Sequence, residues 1–205
     1  QGVLYGNTLY RSLGAGRYVE RSDAAGLETW GPWGVATGDF DADGAEDVFF
    51  ASGIGYPYVY WPSALLRNDG TGPFEDVTAT SGVDPEEGRL RGPKLRDRAV
   101  ARSSRSAATA DFDGDGRLDL VVNNFNGPPF LFRNESRPQA WVGFALVGPG
   151  PHGDAIGARV VLKAGGRTQV RMVQAAGGYL AQSSATLHFG LGGVRFSSSG
   201  RRNQY

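Results

Sequence analysis

The stretch GDFDADGAEDVFF, residues 38–50, returns 72 residues later as ADFDGDGRLDLVV, residues 110–122. Asp39, Asp41, Asp43 and Asp47 take positions 1, 3, 5 and 9 of the first loop, and Asp111, Asp113, Asp115 and Asp119 take the same positions of the second. Gly44 and Gly116 follow the third carboxylate in each copy, and an apolar run comes next. Four carboxylates this close repel one another, so folding them together costs free energy unless a cation is present. Oxygen donors without His or Cys select a hard ion. Alternating side chains around a glycine-assisted turn suit the roughly six to eight oxygens that calcium takes. The main-chain carbonyl at position 7, from Ala45 or Arg117, completes the shell in this reading. Two Ca2+ sites are therefore expected, one in each loop.

Two other readings compete. An EF-hand begins the same way but needs a bidentate Glu at position 12 and flanking helices. Position 12 is Phe50 in one loop and Val122 in the other, and the β-rich runs VFF and LVV follow at once. These are loops leading into strands. The second competitor is catalytic: DGDGRL, residues 113–118, resembles the Asp-x-Asp-Gly-Thr nucleophile turn of haloacid-dehalogenase phosphatases. Arg117 stands where the Thr belongs, the preceding SAATA is only weakly apolar, and the alternating parallel α/β pattern is missing. The repetition at fixed spacing favours metal loops over either alternative.

The loops are spaced by a second repeat. NTLYRSLGAGRYVERSDAAGL (7–27) matches SALLRNDGTGPFEDVTATSGV (63–83), with Leu9 over Leu65, Arg11 over Arg67, Gly14 over Gly70, Tyr18 over Phe74 and Gly26 over Gly82. A third, partial copy, PFLFRNES, begins at Pro129. Each reads as a short apolar strand, a Gly-rich turn and a strand opened by an aromatic, which is hairpin grammar. Residues 1–136 thus alternate hairpin with acidic loop and strand. Such units bury their apolar faces only against neighbours, so further repeats or another chain are expected to complete the array. From about Trp141 the pattern changes. GARVVLKAGGRTQVRMV (157–173) reads as two strands around Gly165-Gly166, with Val160 and Leu162 on one face and Arg159 and Lys163 on the other. WVGFALVG, ATLHFGLG and VRF add short strands, and no amphipathic helix is evident.

Composition agrees with a strand-rich globular chain. Of 205 residues, 32 are glycine and 11 proline, with no collagen triplet, which favours many tight turns. Lys plus Arg equals Asp plus Glu at 21 each, so no global field draws the chain onto nucleic acid. The absence of cysteine excludes disulfides, thiolate metal sites and a cysteine nucleophile. No apolar run approaches the ~20 residues of a membrane span. The opening QGVLYG, without Met or a signal-peptide pattern, reads as a piece of a longer protein.

On these repeats and loops, residues 1–136 resemble FG-GAP/VCBS repeats, the units of integrin-type β-propellers. DAIGARVVLKAGGRTQVRMVQAAGGYLAQSSATLHFGLG (154–192) resembles the ASPIC/UnbV domain, which follows such repeats in bacterial secreted proteins and the cartilage acidic protein family. The resemblance implies calcium ligation by Asp39, Asp41, Asp43 and Asp47 and by Asp111, Asp113, Asp115 and Asp119, and it implies no catalytic residues. A full propeller of this type has about seven blades, whereas two acidic loops are present here. The expected architecture is all-β: partial propeller repeats over 1–136, then a small antiparallel sandwich-like ASPIC/UnbV domain over 137–205. The expected function is calcium-stabilised interaction or adhesion outside the cell or in the periplasm, with a protein or glycan partner and no catalysis.

Other features carry less. RLRGPKLRDRAVARSSRS (89–106) holds seven basic residues and one acid, and reads as a solvated inter-blade loop ahead of a phosphate or sulphated-glycan site. Trp30, Tyr56, Tyr58 and Trp61 allow a lectin reading by ring stacking on sugars, though aromatics serve packing more often. His188 beside Phe189 reads as a packed imidazole, and His152 is the other histidine. Ser183 and Ser184 lie close to His188 without a nucleophile-elbow pattern. Asn134-Glu135-Ser136 fits a glycosylation sequon.

Overall fold

The computed structural model describes residues 6–53, 60–85, 102–125, 127–149, 153 and 155–194. The chain is all-β. Strands β1 (Tyr10–Gly14) and β2 (Arg17–Glu20) form the first hairpin, followed by a single helical turn, α1 (Ser22–Ala25). Next come β3 (Pro32–Gly38), β4 (Asp47–Ser52), β5 (Ala64–Arg67) and β6 (Glu75–Asp76), paired in that order into one antiparallel four-stranded sheet. A second helical turn, α2 (Thr78–Ser81), follows β6. Strands β7 (Ser104–Ala110), β8 (Asp119–Asn124) and β9 (Phe130–Phe132) repeat the first three strands of that sheet. Among the described residues the arrangement fits part of a propeller and closes no barrel: one blade of four strands, one of three, and the β1–β2 hairpin.

The hairpin repeat folds as its grammar requires. Strands β1 with β2 and β5 with β6 pair antiparallel. Both then run into a four-residue helical turn ended by a glycine in the left-handed region, Gly26 at φ 69° and Gly82 at φ 75°. These turns escape a periodicity search because four residues hold barely one turn. The third copy supplies only β9, and after it the chain leaves the blade.

Blade packs on blade through their first strands. A Cβ on Gly34 of β3 would sit 2.6 Å from the Arg105 carbonyl oxygen of β7, so only glycine admits this approach. The shared core gathers Ala36, Phe49, Ala51, Ala107, Leu120 and Val122, with Phe49 wholly buried. Arg102, from the basic stretch, is buried against Asp84 and Tyr60 with its guanidinium 5.0 Å from the Phe130 ring centre. Arg105 lies 4.3 Å from the Trp33 ring centre. Both serve packing, while the stretch at 89–101 lies outside the described residues.

Downstream, β10 (Ala140–Phe144) pairs with β13 (Leu187–Gly192), and β11 (Arg159–Ala164) with β12 (Arg167–Met172). The second ribbon turns on Gly165-Gly166 at φ 55° and 77°, the positive pair that a two-residue hairpin needs. Val173, Leu187 and Phe189 form the core between the ribbons, and Val160 and Leu162 pack onto it while Arg159 and Lys163 face outward. The segment between β12 and β13 runs back along the blades: the Ser184 N–H donates to the Thr109 carbonyl (2.9 Å) and the Thr109 N–H to Ser183 Oγ (3.1 Å).

Candidate metal loops

Each acidic loop is a hairpin connection, the first between β3 and β4, the second between β7 and β8, closed by the register pairs Gly38 with Asp47 and Ala110 with Asp119. The position-9 aspartates act as locks. Asp47 accepts the Phe40 N–H through Oδ2 (2.9 Å) and the Asn68 N–H through Oδ1 (2.8 Å). Asp119 accepts from Phe112 (3.0 Å) and Asn134 (2.8 Å) in the same way. Both aspartates are buried, and each carboxylate ties its loop to the segment that follows the third strand of its own blade, β5 in the first and β9 in the second.

Sequence reading missed the asparagine partners. Asn68 Nδ2 donates to the Glu46 carbonyl (3.1 Å), and Asn134 Nδ2 to the Phe40 (2.7 Å) and Leu118 (3.0 Å) carbonyls. Their signal is the Arg-Asn pair shared by the second and third repeat copies, where the first has Arg11-Ser12. The sequon nitrogen of Asn134 is thus committed to two carbonyls, and a glycan there would break both bonds. Expressed through a eukaryotic secretory pathway, the folded chain will show no mass loss on endoglycosidase treatment, and Asn134→Ala will cost about 1–3 kcal/mol in urea unfolding. A glycan released from Asn134 of the folded protein would contradict this packing.

In the first loop, carboxylate oxygens of Asp39, Asp41 and Asp43 lie within 4.8 Å of one another. Asp47 is outside that group. Asp39 Oδ2 accepts the Gly44 N–H (2.9 Å), whereas its Oδ1 is buried and has no hydrogen-bond partner. Asp39 is only 2% exposed. An orphaned carboxylate oxygen beside two further carboxylates is costly without a cation. Burial pushes the Asp39 carboxyl up to about 7, with Asp43 and Asp41 adding to the rise. Burial likewise raises Asp47 to about 7, and it raises Asp41 with help from Asp43. The donor set fits a hard divalent ion.

The second loop gathers Asp111, Asp113 and Asp119 within the same 4.8 Å limit. Asp111 accepts the N–H groups of Gly114 (2.9 Å), Asp115 (3.1 Å) and Gly116 (2.9 Å). Asp115 is drawn aside by an ion pair with Arg117, whose hydrogen bonds hold its carboxyl below the usual range. Arg133 Nε donates to Asp113 Oδ2 at 2.8 Å. Two guanidinium groups therefore offset charge in the second loop, and Arg117, at position 7, folds its side chain onto the loop where Ala45 has none to fold.

The remaining sequence candidates separate. Ser183 Oγ is held by Thr109, while His188 Nε2 meets the Gly116 carbonyl (2.8 Å) and its ring stacks on Trp141, so serine and histidine serve different contacts. Trp30 is exposed and meets Trp61 edge-on, with ring centres 6.1 Å apart. Tyr56, Tyr58 and His152 lie outside the described residues.

This alternation of strand, acidic hairpin loop and outer hairpin defines a propeller-repeat protein. The FG-GAP-like repeat family matches at residues 4–50 and 43–122, each match ending on the strand that follows an acidic loop. The chain belongs to that family, and residues 148–198 match the ASPIC and UnbV domain. Among curated proteins it is similar to cartilage acidic protein 1 of Xenopus tropicalis, at 29% identity over 132 residues, 64% of this chain and 16% of that protein. It is also similar to the Mus musculus and Homo sapiens proteins of the same name, each at 33% identity over 99 residues, 48% of this chain and 12% of theirs. The chain thus spans a small part of the length of these relatives.

Proposed function

We infer that the chain is a calcium-binding, non-catalytic interaction module that works outside the cytoplasm, with propeller repeats over 1–136 and an ASPIC/UnbV domain over 137–205. The buried, unpartnered Asp39 Oδ1 beside Asp41 and Asp43 carries the reading, because keeping a carboxylate so placed ionised is costly without a cation. In this reading Asp39, Asp41 and Asp43 hold the first ion, with the Ala45 carbonyl and Asp47 close by. Asp111, Asp113 and Asp119 hold the second, with the Arg117 carbonyl and Asp115 at its edge. Calcium acts structurally, neutralising each loop so that the strands it joins keep their register. Support for a non-catalytic role comes from the loops themselves: each is the turn of an antiparallel hairpin, whereas a phosphatase aspartate follows a strand of a parallel α/β sheet. Among the described residues no helix is long and apolar enough to cross a membrane.

Melting in calcium and in chelator tests the reading. A site filled to 100 times its dissociation constant stabilises the fold by about 2.7 kcal/mol, equivalent to about 5–11 °C in Tm for a chain of this size. Asp39→Ala will remove part of that response. Identical melts in calcium and chelator would overturn it. The exposed Trp30 edge favours a second reading, a glycan partner, for which a glycan array should give hits lost in Trp30→Ala and Trp61→Ala.

A further inference from the structure

We propose that strand β13 of the C-terminal domain is seated on both acidic loops, so that calcium in the first loop and docking of this domain are one linked equilibrium. The proposal rests on the calcium reading above. Three alternate residues of β13 meet the loops, His188 through its ring and Gly190 and Gly192 through their main-chain N–H groups. The Gly190 N–H donates to Asp39 Oδ2 at 3.1 Å, the same carboxylate whose Oδ1 is left for the ion. The Gly192 N–H donates to the Ala42 carbonyl at 2.7 Å. His188 Nε2 lies 2.8 Å from the Gly116 carbonyl in the second loop.

Neighbouring β12 reinforces the seat: Arg167 Nη1 donates to the Asp43 carbonyl (2.9 Å), and Arg171 Nε pairs with Glu46 Oε1 (3.2 Å). Gln169 Nε2 in turn holds the Gly190 carbonyl at 2.7 Å, fixing β13 in place. The fit tolerates no side chain at its centre. A Cβ on Gly190 would lie 2.1 Å from Asp39 Oδ2 and 2.4 Å from the Ala42 Cα, and one on Gly116 would meet the Trp141 indole nitrogen at 1.8 Å. An ion that fixes the Asp39 carboxylate therefore also fixes the acceptor of the Gly190 N–H and the backbone carbonyls of Ala42 and Asp43. Linkage makes the effect reciprocal: a docked β13 raises the affinity of the first loop for calcium by the factor with which calcium favours docking.

Hydrogen exchange on the whole chain, titrated with calcium from a chelated start, reads both halves of the equilibrium. Peptides covering residues 38–50 report the loop and peptides covering 187–192 report the strand. Both should gain protection at the same calcium concentration, with exchange in β13 slowed by about tenfold or more, within the usual span of coupling factors. In Gly190→Ala the calcium concentration that half-protects 38–50 should rise by about tenfold. Arg167→Ala, which removes an exposed side chain and its hydrogen bond to the Asp43 carbonyl, should raise it by a smaller factor and keeps the test open if the glycine variant does not fold. Protection of 38–50 with β13 unmoved, or an unchanged midpoint in both variants, overturns the coupling and leaves the calcium reading standing. No protection of either segment by calcium overturns the calcium reading itself.

Discussion

The metal-free chain will lose stability as the pH rises from about 5 to about 8, and saturating calcium will remove most of that loss. Burial holds the Asp39 and Asp47 carboxyls at about 7 against an ordinary 3.8, and raises Asp41 in the same direction. A group whose native pKa lies above its unfolded value makes the folded state bind more protons between the two. Its stabilisation is then complete below 3.8 and is lost as the pH climbs through about 7. Each unit of difference corresponds to about 1.4 kcal/mol for one group. His188, held below its ordinary 6.5 by burial, acts in the opposite sense, but only as the pH falls below that value. Urea unfolding in chelator should therefore show a negative slope of stability with pH between about 5 and 7, where the raised carboxyls outweigh the one histidine, flattened in Asp39→Asn. Adding calcium should stabilise more at pH 8 than at pH 5, since the ion needs the carboxylates ionised. A metal-free stability that is level or rising across pH 5–7 would contradict the burial of these groups.

Phe49→Ala will cost about 3–5 kcal/mol, the range for deleting a buried aromatic ring and leaving a cavity. Phe49 is wholly buried in the core where the two blades meet, among Ala51 of its own strand and Ala107, Leu120 and Val122 of the next blade. Small residues on the facing strand leave little able to collapse into the space. Phe112→Ala is the control, because Phe112 sits in the second acidic loop with 55% of its surface exposed and should change stability by about 0.5 kcal/mol or less. Urea midpoints for the two variants settle the comparison, and similar losses would show that blade packing is not where stability resides.

Features with a local cause were legible in the sequence. The Gly165-Gly166 turn, the alternation of Val160 and Leu162 against Arg159 and Lys163, and the β1–β2 and β5–β6 hairpins follow from turn chemistry and period-two patterning. The acidic spacing likewise brought Asp39, Asp41 and Asp43 together, since alternate residues of one short turn must converge. What escaped reading depends on distant partners. Asp115 is turned aside by Arg117, and Asn134 is spent on the Phe40 carbonyl, 94 residues away. Gly190 approaches Asp39 across 151 residues of chain, and a missing Cβ leaves no mark in local pattern. The third repeat copy forms only β9, because the chain beyond Asn134 and Ser136 is held to the Phe40 carbonyl and then feeds β10, whose partner is β13.

The central claim is that the two acidic loops are calcium sites, and counting bound ions tests it most directly. After equilibrium dialysis against calcium at neutral pH, elemental analysis should find two calcium ions per chain. One should remain in the Asp39→Ala/Asp41→Ala variant, one in Asp111→Ala/Asp113→Ala, and none when all four are replaced. A wild-type chain that retains no calcium, or a count that these variants leave unchanged, would contradict the account.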